Sequence, residues 1–247
     1  MANQSIFVTG TDTGVGKTTI TAALILALQQ QGHSVGVLKP FETGVTVEHL
    51  EHSDTERLRH LLSPPLPFDQ VCIYAFPQPL APLAASRELG KTIDLSRIHS
   101  QIHTLTQQYD FLLIEGAGGL FTPITSKHTM RDLITLLKIP CLIVGHTEIG
   151  GVNHCLLTME ASQHAGIPVS GIVLNEFRSQ IPNSISCQQQ ESTVELIREW
   201  ASAPVFGPIG YTQTVMTSWR EGVDMLSEDS EIQRLARHLN ETVSDIG

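Results

Sequence analysis

The chain has 247 residues, with 15 Lys and Arg against 25 Asp and Glu for a formal net charge of −10. That balance opposes a long nucleic-acid or anionic-membrane footprint, and 41% apolar with 16% charged residues excludes a disordered polyampholyte or a coiled coil. No run approaches the ~18 apolar residues of a membrane span, and Met1-Ala2-Asn3-Gln4 lacks the basic start of a secretion signal. A soluble cytoplasmic protein is expected, folded as one domain over residues 1–247. Cys72, Cys141, Cys155 and Cys187 form no C-x-x-C pair, so buried free thiols are expected rather than a zinc site or a disulfide framework.

Ile6-Phe7-Val8 opens a series of short runs that are apolar on both faces, as strands of a parallel sheet covered by helices on both sides are. Residues 8–19 then read V-T-G-T-D-T-G-V-G-K-T-T, between that strand and a helix, which is the setting of a phosphate-binding loop. Gly10, Gly14 and Gly16 let the backbone turn its N–H groups inward, Lys17 can reach the β- and γ-phosphates, and the Thr18 hydroxyl can complete an Mg²⁺ shell. The helix start adds favourable partial charge. The generic spacing puts its first glycine at position 11; here that residue is Thr11 and the glycine stands one earlier. Ile20, Ala23, Leu24, Ala27 and Leu28 follow at helical spacing, and Gly32 ends that helix.

Val35–Leu38 is the second run, and Lys39 before Pro40 falls at the C-terminal edge of the sheet. It is either a second cation for an anionic substrate and a developing phosphoryl charge or a solvated strand-end lysine. Ser53-Asp54-Thr55-Glu56, ahead of Leu58, Leu61 and Leu62, has the spacing of a capping box, so Asp54 is either a helix-terminus charge or a metal ligand. His49 and His52, among Glu48 and Glu51, read as a solvated segment and not a metal pair. Residues 62–82 contain six prolines and are expected to form an ordered loop over the sheet.

Phe111–Ile114 ends in Glu115-Gly116-Ala117-Gly118-Gly119, placing a carboxylate at the sheet edge where α/β folds bind ligands. Glu115 there serves either as a Walker-B-type Mg²⁺ ligand or as a turn cap. Helical stripes at Leu133–Leu137, Val152–Ala161, Val194–Trp200 and Ile232–Leu239 alternate with the runs Cys141–Val144 and Gly171–Leu174. The alternation predicts an α/β fold of the P-loop NTPase kind, a doubly wound, mostly parallel sheet of about six or seven strands with helices on both faces, rather than an eight-unit barrel.

Taken together these residues resemble the dethiobiotin synthetase family. Its loop G-T-D-T-x-V-G-K-T stands here as Gly10 to Thr18, which accounts for the displaced glycine. Lys39-Pro40, Thr43-Gly44, Ser53-Asp54, Tyr74-x-Phe76, Glu115 to Gly119 with Thr122-Pro123, Asn153-His154 and Asn175 follow in the family's order. The resemblance implies that ATP phosphates are held by Lys17 and by amides of Gly14, Val15, Gly16, Thr18 and Thr19, with Gly116, Ala117 and Gly118 alongside. Thr18, Asp54 and Glu115 would hold Mg²⁺, and Asn175, Glu176, Gly210, Tyr211 and Thr212 would face the base. Lys39 would neutralise a carbamate formed from 7,8-diaminononanoate and CO₂, with Lys17 as the second catalytic cation, and Thr43 would hydrogen-bond the substrate. Gly150, Gly151, Val152 and Asn153 would meet the substrate carboxylate from a neighbouring subunit, so a homodimer with its site at the interface is implied. Other members often carry Glu at position 14 and Ser at position 43, and the tyrosine some place near the substrate carboxylate has no counterpart between Phe177 and Trp200.

Two rivals share the loop. A partitioning or septum-placement switch of the ParA or MinD kind, which dimerises around ATP, carries lysine where this chain has Asp12. The synthetase domain of cobyrinate-type amidotransferases requires an attached glutaminase domain for which 247 residues leave no room.

Overall fold

A computed structural model describes residues 4–176 and 184–244. The chain begins β1 (Gln4–Gly10), α1 (Lys17–Gln30), β2 (Val35–Leu38), β3 (Phe41–Thr43), a 3₁₀ turn (Val47–His52), α2 (Asp54–Arg59) and α3 (Phe68–Val71). It continues through β4 (Tyr74–Phe76), α4 (Pro82–Glu88), α5 (Leu95–Thr106), β5 (Phe111–Glu115), α6 (Met130–Leu137), β6 (Cys141–His146) and α7 (Gly151–His164). It closes with β7 (Val169–Asn175), α8 (Ser184–Trp200), β8 (Val205–Ile209), α9 (Thr214–Thr217), α10 (Trp219–Ser227) and α11 (Ser230–Ser244).

Six strands form one parallel sheet in the order β2-β5-β1-β6-β7-β8. Successive side chains of a strand point to opposite faces, and β1 shows the consequence. Ile6 and Val8 join the core shared with α1, α2, α10 and α11, while Phe7 joins the other core, with α5, α6 and α7. The expected double winding is therefore present. Because β1 lies between β5 and β6, chain direction across the sheet reverses beside it, and the crevice at the C-terminal strand ends is the ligand position in such folds.

Helix α1 departs from a simple stripe. Ala22, Ile25 and Leu26 are buried along with the expected Ile20, Ala23, Leu24, Ala27 and Leu28, because α2, α10 and α11 pack around it. At roughly 1.5–3 kcal/mol for each large side chain withdrawn from water, this helix is a principal source of core stability. It also anchors the phosphate loop at its first turn.

The proline-rich stretch is more structured than its composition suggests. It holds α3 and β4, and β4 pairs in parallel with β3, setting Phe41 opposite Tyr74 and Thr43 opposite Phe76. Proline spacing hides this pair, which is fixed by a distant partner and by stacking of Tyr74 on Phe41 at 5.8 Å. Cys72, Cys141 and Cys155 are buried as expected, but Cys187 is exposed, since its position on α8 faces away from the sheet. Among the described residues no helix is long and apolar enough to cross a membrane.

Candidate active site

The loop after β1 is held at both ends. Thr11 donates its amide to Val144 O at 2.9 Å, and Gly16, with φ of 96°, caps the start of α1. A side chain at position 10 would put its Cβ 2.9 Å from Val15 Cγ2 and 3.0 Å from Lys17 Nζ, so the glycine stands where the loop folds back on itself. That is the steric reason for glycine at 10. Lys17 Nζ donates to Asp12 O at 2.9 Å. Burial lowers the Lys17 pKa to about 8, against the opposing pull of Glu115.

Two strand ends bring the next charges together. Glu115 closes β5 with no solvent exposure, and its Oε1 accepts from Thr18 Oγ1 at 2.8 Å and from the ammonium of Lys39, the residue after β2. Asp54 Oδ2 lies 2.9 Å from the same ammonium. Burial alone would lower the Lys39 pKa, but Glu115 and Asp54 outweigh it and hold the group well above its ordinary value, a permanent cation. Asp54 moves the opposite way: burial would raise it, and Lys39 holds it below the usual range. One alternative left open by the sequence resolves at Lys39, while Asp54 stands in the first turn of α2 and beside the ammonium at once. Ser53, not Asp54, caps α2 by accepting from Glu56 N at 3.2 Å, and Lys39 is an ion-paired buried residue rather than a solvated one.

The donors around this ammonium suit magnesium. Thr18 supplies a hydroxyl, Asp54 and Glu115 supply carboxylates, and Glu115 Oε2 is buried without a hydrogen-bond partner. Hard oxygen donors beside a phosphate loop, few enough to leave positions for phosphate and water, match how Mg²⁺ is bound. Among the described residues no group of three or more His, Cys, Asp or Glu gathers as a metal site, here or elsewhere, so any ion in this cleft would take two carboxylates and a hydroxyl. His52 is exposed beside Glu51 at 3.5 Å, and the side chain of His49 lies outside the described residues.

Glu42 carries no motif, yet it positions Asp54. From β3 its carboxylate accepts from Asp54 N at 2.6 Å, from Thr55 N at 3.0 Å and from the Thr55 hydroxyl. It occupies the N-terminus of α2, where backbone donors are otherwise unmet and negative charge is favoured. Burial raises its pKa, opposed by Lys39.

These groups line a cleft of about 380 Å³ that also takes in Gly14, Gly16, Thr19, Thr43, Gly116, Ala117 and Gly118. A second cavity of about 220 Å³ shares Gly14, Gly16 and Thr19 with it and is lined by Asn175, Glu176, Gly210, Tyr211 and Thr212, the residues expected at the base. Val215, Met216 and Leu226 complete that cavity, and Thr13, Phe41, Arg57 and Trp219 complete the cleft; no sequence pattern pointed to Val215, Met216, Leu226, Arg57 or Trp219. Asn175 Nδ2 donates to Val15 O at 3.0 Å, and a Cβ at Gly16 would come within 2.1 Å of that nitrogen. Gly150, Gly151, Val152 and Asn153 open α7 at the C-terminal end of β6 but do not line the cleft of their own chain. Residues 177–183, within the stretch that lacks the family tyrosine, lie outside the described residues.

The AAA domain family profile matches residues 4–218. A dethiobiotin synthetase from Anaeromyxobacter dehalogenans strain 2CP-C is 34% identical over 241 residues, covering 98% of this chain and 97% of that protein. One from Bacillus subtilis strain 168 is 32% identical over 204 residues, covering 83% and 86%. The fold is shared more widely. MinD in the MinC:MinD complex of Aquifex aeolicus superposes with a TM-score of 0.63 at 16% identity over 96% of both chains. MinD complexed with Mg-ADP from Pyrococcus horikoshii OT3 gives 0.58 at 19% identity over 97% of both. Full-length identity of about a third, with the loop and the paired strand-end charges in order, makes the chain a member of the ATP-dependent dethiobiotin synthetases, cyclo-ligases of biotin biosynthesis.

Proposed function

We propose that this chain, acting as one domain over 1–247, converts 7,8-diaminononanoate, CO₂ and ATP into dethiobiotin, ADP and phosphate. The observation that carries the reading is the Lys39 ammonium, kept cationic by Asp54 and Glu115 beside the phosphate loop. Lys39 would neutralise the substrate carbamate and its phosphorylated form, Lys17 would meet the β- and γ-phosphates, and Thr43 would hydrogen-bond the substrate. Asn175, Glu176 and Gly210–Thr212 would receive the base. Thr18, Asp54 and Glu115 would hold Mg²⁺, whose contribution is to offset phosphate charge.

The chemistry requires no side-chain nucleophile. A carbamate oxygen attacks the γ-phosphorus, an O–P bond forms and ADP leaves. The second amine then attacks the carbamoyl carbon, a C–N bond forms, the C–O bond to phosphate breaks, and the amine proton passes to the released phosphate or to solvent. Such transfers depend on in-line positioning and fixed charge, which a pair of buried lysines supplies without reorganisation.

Recognition of the substrate carboxylate would fall to Gly150–Asn153 of a second copy, because a helix start offers free amides to an anion. An exposed groove of about 520 Å³ supports such pairing. It joins Thr11 and Asp12 to Phe121 and Leu157, two large apolar side chains that are each more than half exposed. Purified protein given diaminononanoate, bicarbonate, Mg²⁺ and ATP should yield dethiobiotin and ADP in equal amounts. ATP hydrolysis indifferent to the diamine would overturn the reading in favour of a nucleotide-driven switch.

A further inference from the structure

The cleft contains a third cation. Arg57 lies on α2, three residues beyond Asp54, and lines the cleft together with Trp219 of α10. Its guanidinium carbon sits 4.7 Å from the centre of the Trp219 ring, within cation–π range. Among the described residues no carboxylate lies within ion-pair distance of Arg57 and no acceptor takes its N–H groups. Its neighbour Arg59 is the contrast: it pairs with Glu56 at 2.9 Å and donates to Leu66 O at 3.1 Å. One short helix thus carries an arginine used by the fold and another whose five donors are unassigned.

Trp219 is placed for the face of its ring. Its indole Nε1 is buried and has no acceptor, although a buried indole N–H ordinarily finds one. The ring forgoes that bond and keeps the guanidinium. It also stands where the two cavities meet: Val215 and Met216, just ahead of it, line the base cavity, while Trp219 lines the phosphate cleft. The remaining charges in the cleft are committed. Lys39 pairs with Asp54 and Glu115, and Glu42 is taken up by the amides of α2, which leaves Lys17 and Arg57 as cations without a carboxylate partner. Two cations with no carboxylate in ion-pair contact, one resting on a backbone oxygen and the other on an indole face, thus line one cavity, which suits a polyanion.

We infer that Arg57 is a phosphate-binding residue of this site, held against the cleft wall by Trp219, and that its ligand is the phosphate chain of a nucleoside di- or triphosphate. The inference rests on the nucleotide site described above and adds a residue from outside the shared motifs; Trp219 itself lies one position beyond the stretch matched to the family.

Calorimetric titration with Mg-ATP and Mg-ADP tests it. Arg57→Ala should weaken both about ten- to a hundredfold, the range for loss of a charge-assisted hydrogen bond. Arg57→Lys should recover only part, since an ammonium lacks the planar fork that stacks on indole. Trp219→Ala should weaken binding in the same direction, and the double variant should be no weaker than Arg57→Ala alone, the mark of residues acting as a unit. Wild-type affinity in Arg57→Ala, or additive losses in the double variant, would overturn the inference. A readout that leaves the pair intact uses the Trp200→Phe protein, in which Trp219 is the remaining tryptophan. Its emission should change on adding Mg-ATP and saturate with the calorimetric affinity; emission that ignores the nucleotide counts against the assignment. Wild-type protein that binds no ATP would instead refute the nucleotide site itself, and this inference with it.

Discussion

Replacing Lys39 with Met removes the ammonium that stands between Asp54 and Glu115 while keeping much of its volume. Glu115, fully buried, would retain a single protein donor on Oε1, the Thr18 hydroxyl, and none on Oε2. Leaving one partner of a buried ion pair uncompensated costs about 3–5 kcal/mol. Asp54 is about one-third exposed, so its share is screened by water and adds little. In a chain of this length each kcal/mol moves Tm by about 2–4 °C, so the variant should melt roughly 6–20 °C below wild type in EDTA. Mg²⁺ should then recover a large part of the loss, because the freed carboxylate oxygens are the ones proposed to hold it; a ligand at a hundred times its Kd contributes about 2.7 kcal/mol. Wild type should gain less from Mg²⁺ alone, since its ammonium already occupies the space between the carboxylates. Calorimetric melting with and without Mg²⁺ measures both effects, and the dethiobiotin assay should show ring closure lost. Equal melting temperatures in EDTA, with equal gains from Mg²⁺, would refute the view that this ammonium satisfies those carboxylates.

Three further outcomes follow from the same geometry. Glu42→Gln turns an acceptor toward Asp54 N and Thr55 N into a group that can serve only one of them, so α2 should loosen by about 1–3 kcal/mol and half-saturating Mg²⁺ for ring closure should rise several-fold; an unchanged Mg²⁺ requirement would separate Glu42 from Asp54. Lys17 has a folded pKa of about 8 against 10.5 unfolded, so below about 8 it is charged in both states, and above it the folded protein loses the charge first. ATP affinity, measured without the diamine, should therefore fall as pH rises through about 8, while the Lys17 contribution to stability improves between about 8 and 10.5. Burial pushes the Cys72, Cys141 and Cys155 thiols up to about 12, 11 and 12, so a thiol reagent should modify native protein rapidly at Cys187 alone and at the others only after unfolding.

Five strands of the main sheet were legible because each is apolar on both faces and bounded by glycine or a charge, and the strand-end positions of Lys39 and Glu115 came with them; β8 was not, since Gly207 and Pro208 interrupt its apolar run. The loop was legible because its glycines and lysine have one spacing and one setting. Glu42, Arg57 and Trp219 were not. Glu42 is a lone carboxylate in a three-residue strand whose partner, β4, lies in a stretch that composition marks as loop. Arg57 and Trp219 meet across helices far apart in the chain, and nothing in either local pattern names the other. The capping-box spacing at Ser53 was legible as a helix start, but Glu56 turns instead to Arg59 and His60, so only half of the reciprocal cap is made.

The amide of Asn175 fills the space that any side chain at position 16 would need and bonds to the backbone of Val15 beside it. The tip of β7 and the phosphate cradle are thereby interlocked, like a tongue in a slot. Any exchange at Asn175 therefore alters the wall of the cavity it lines and the fit of the loop at the same time, so the two cannot be redesigned independently.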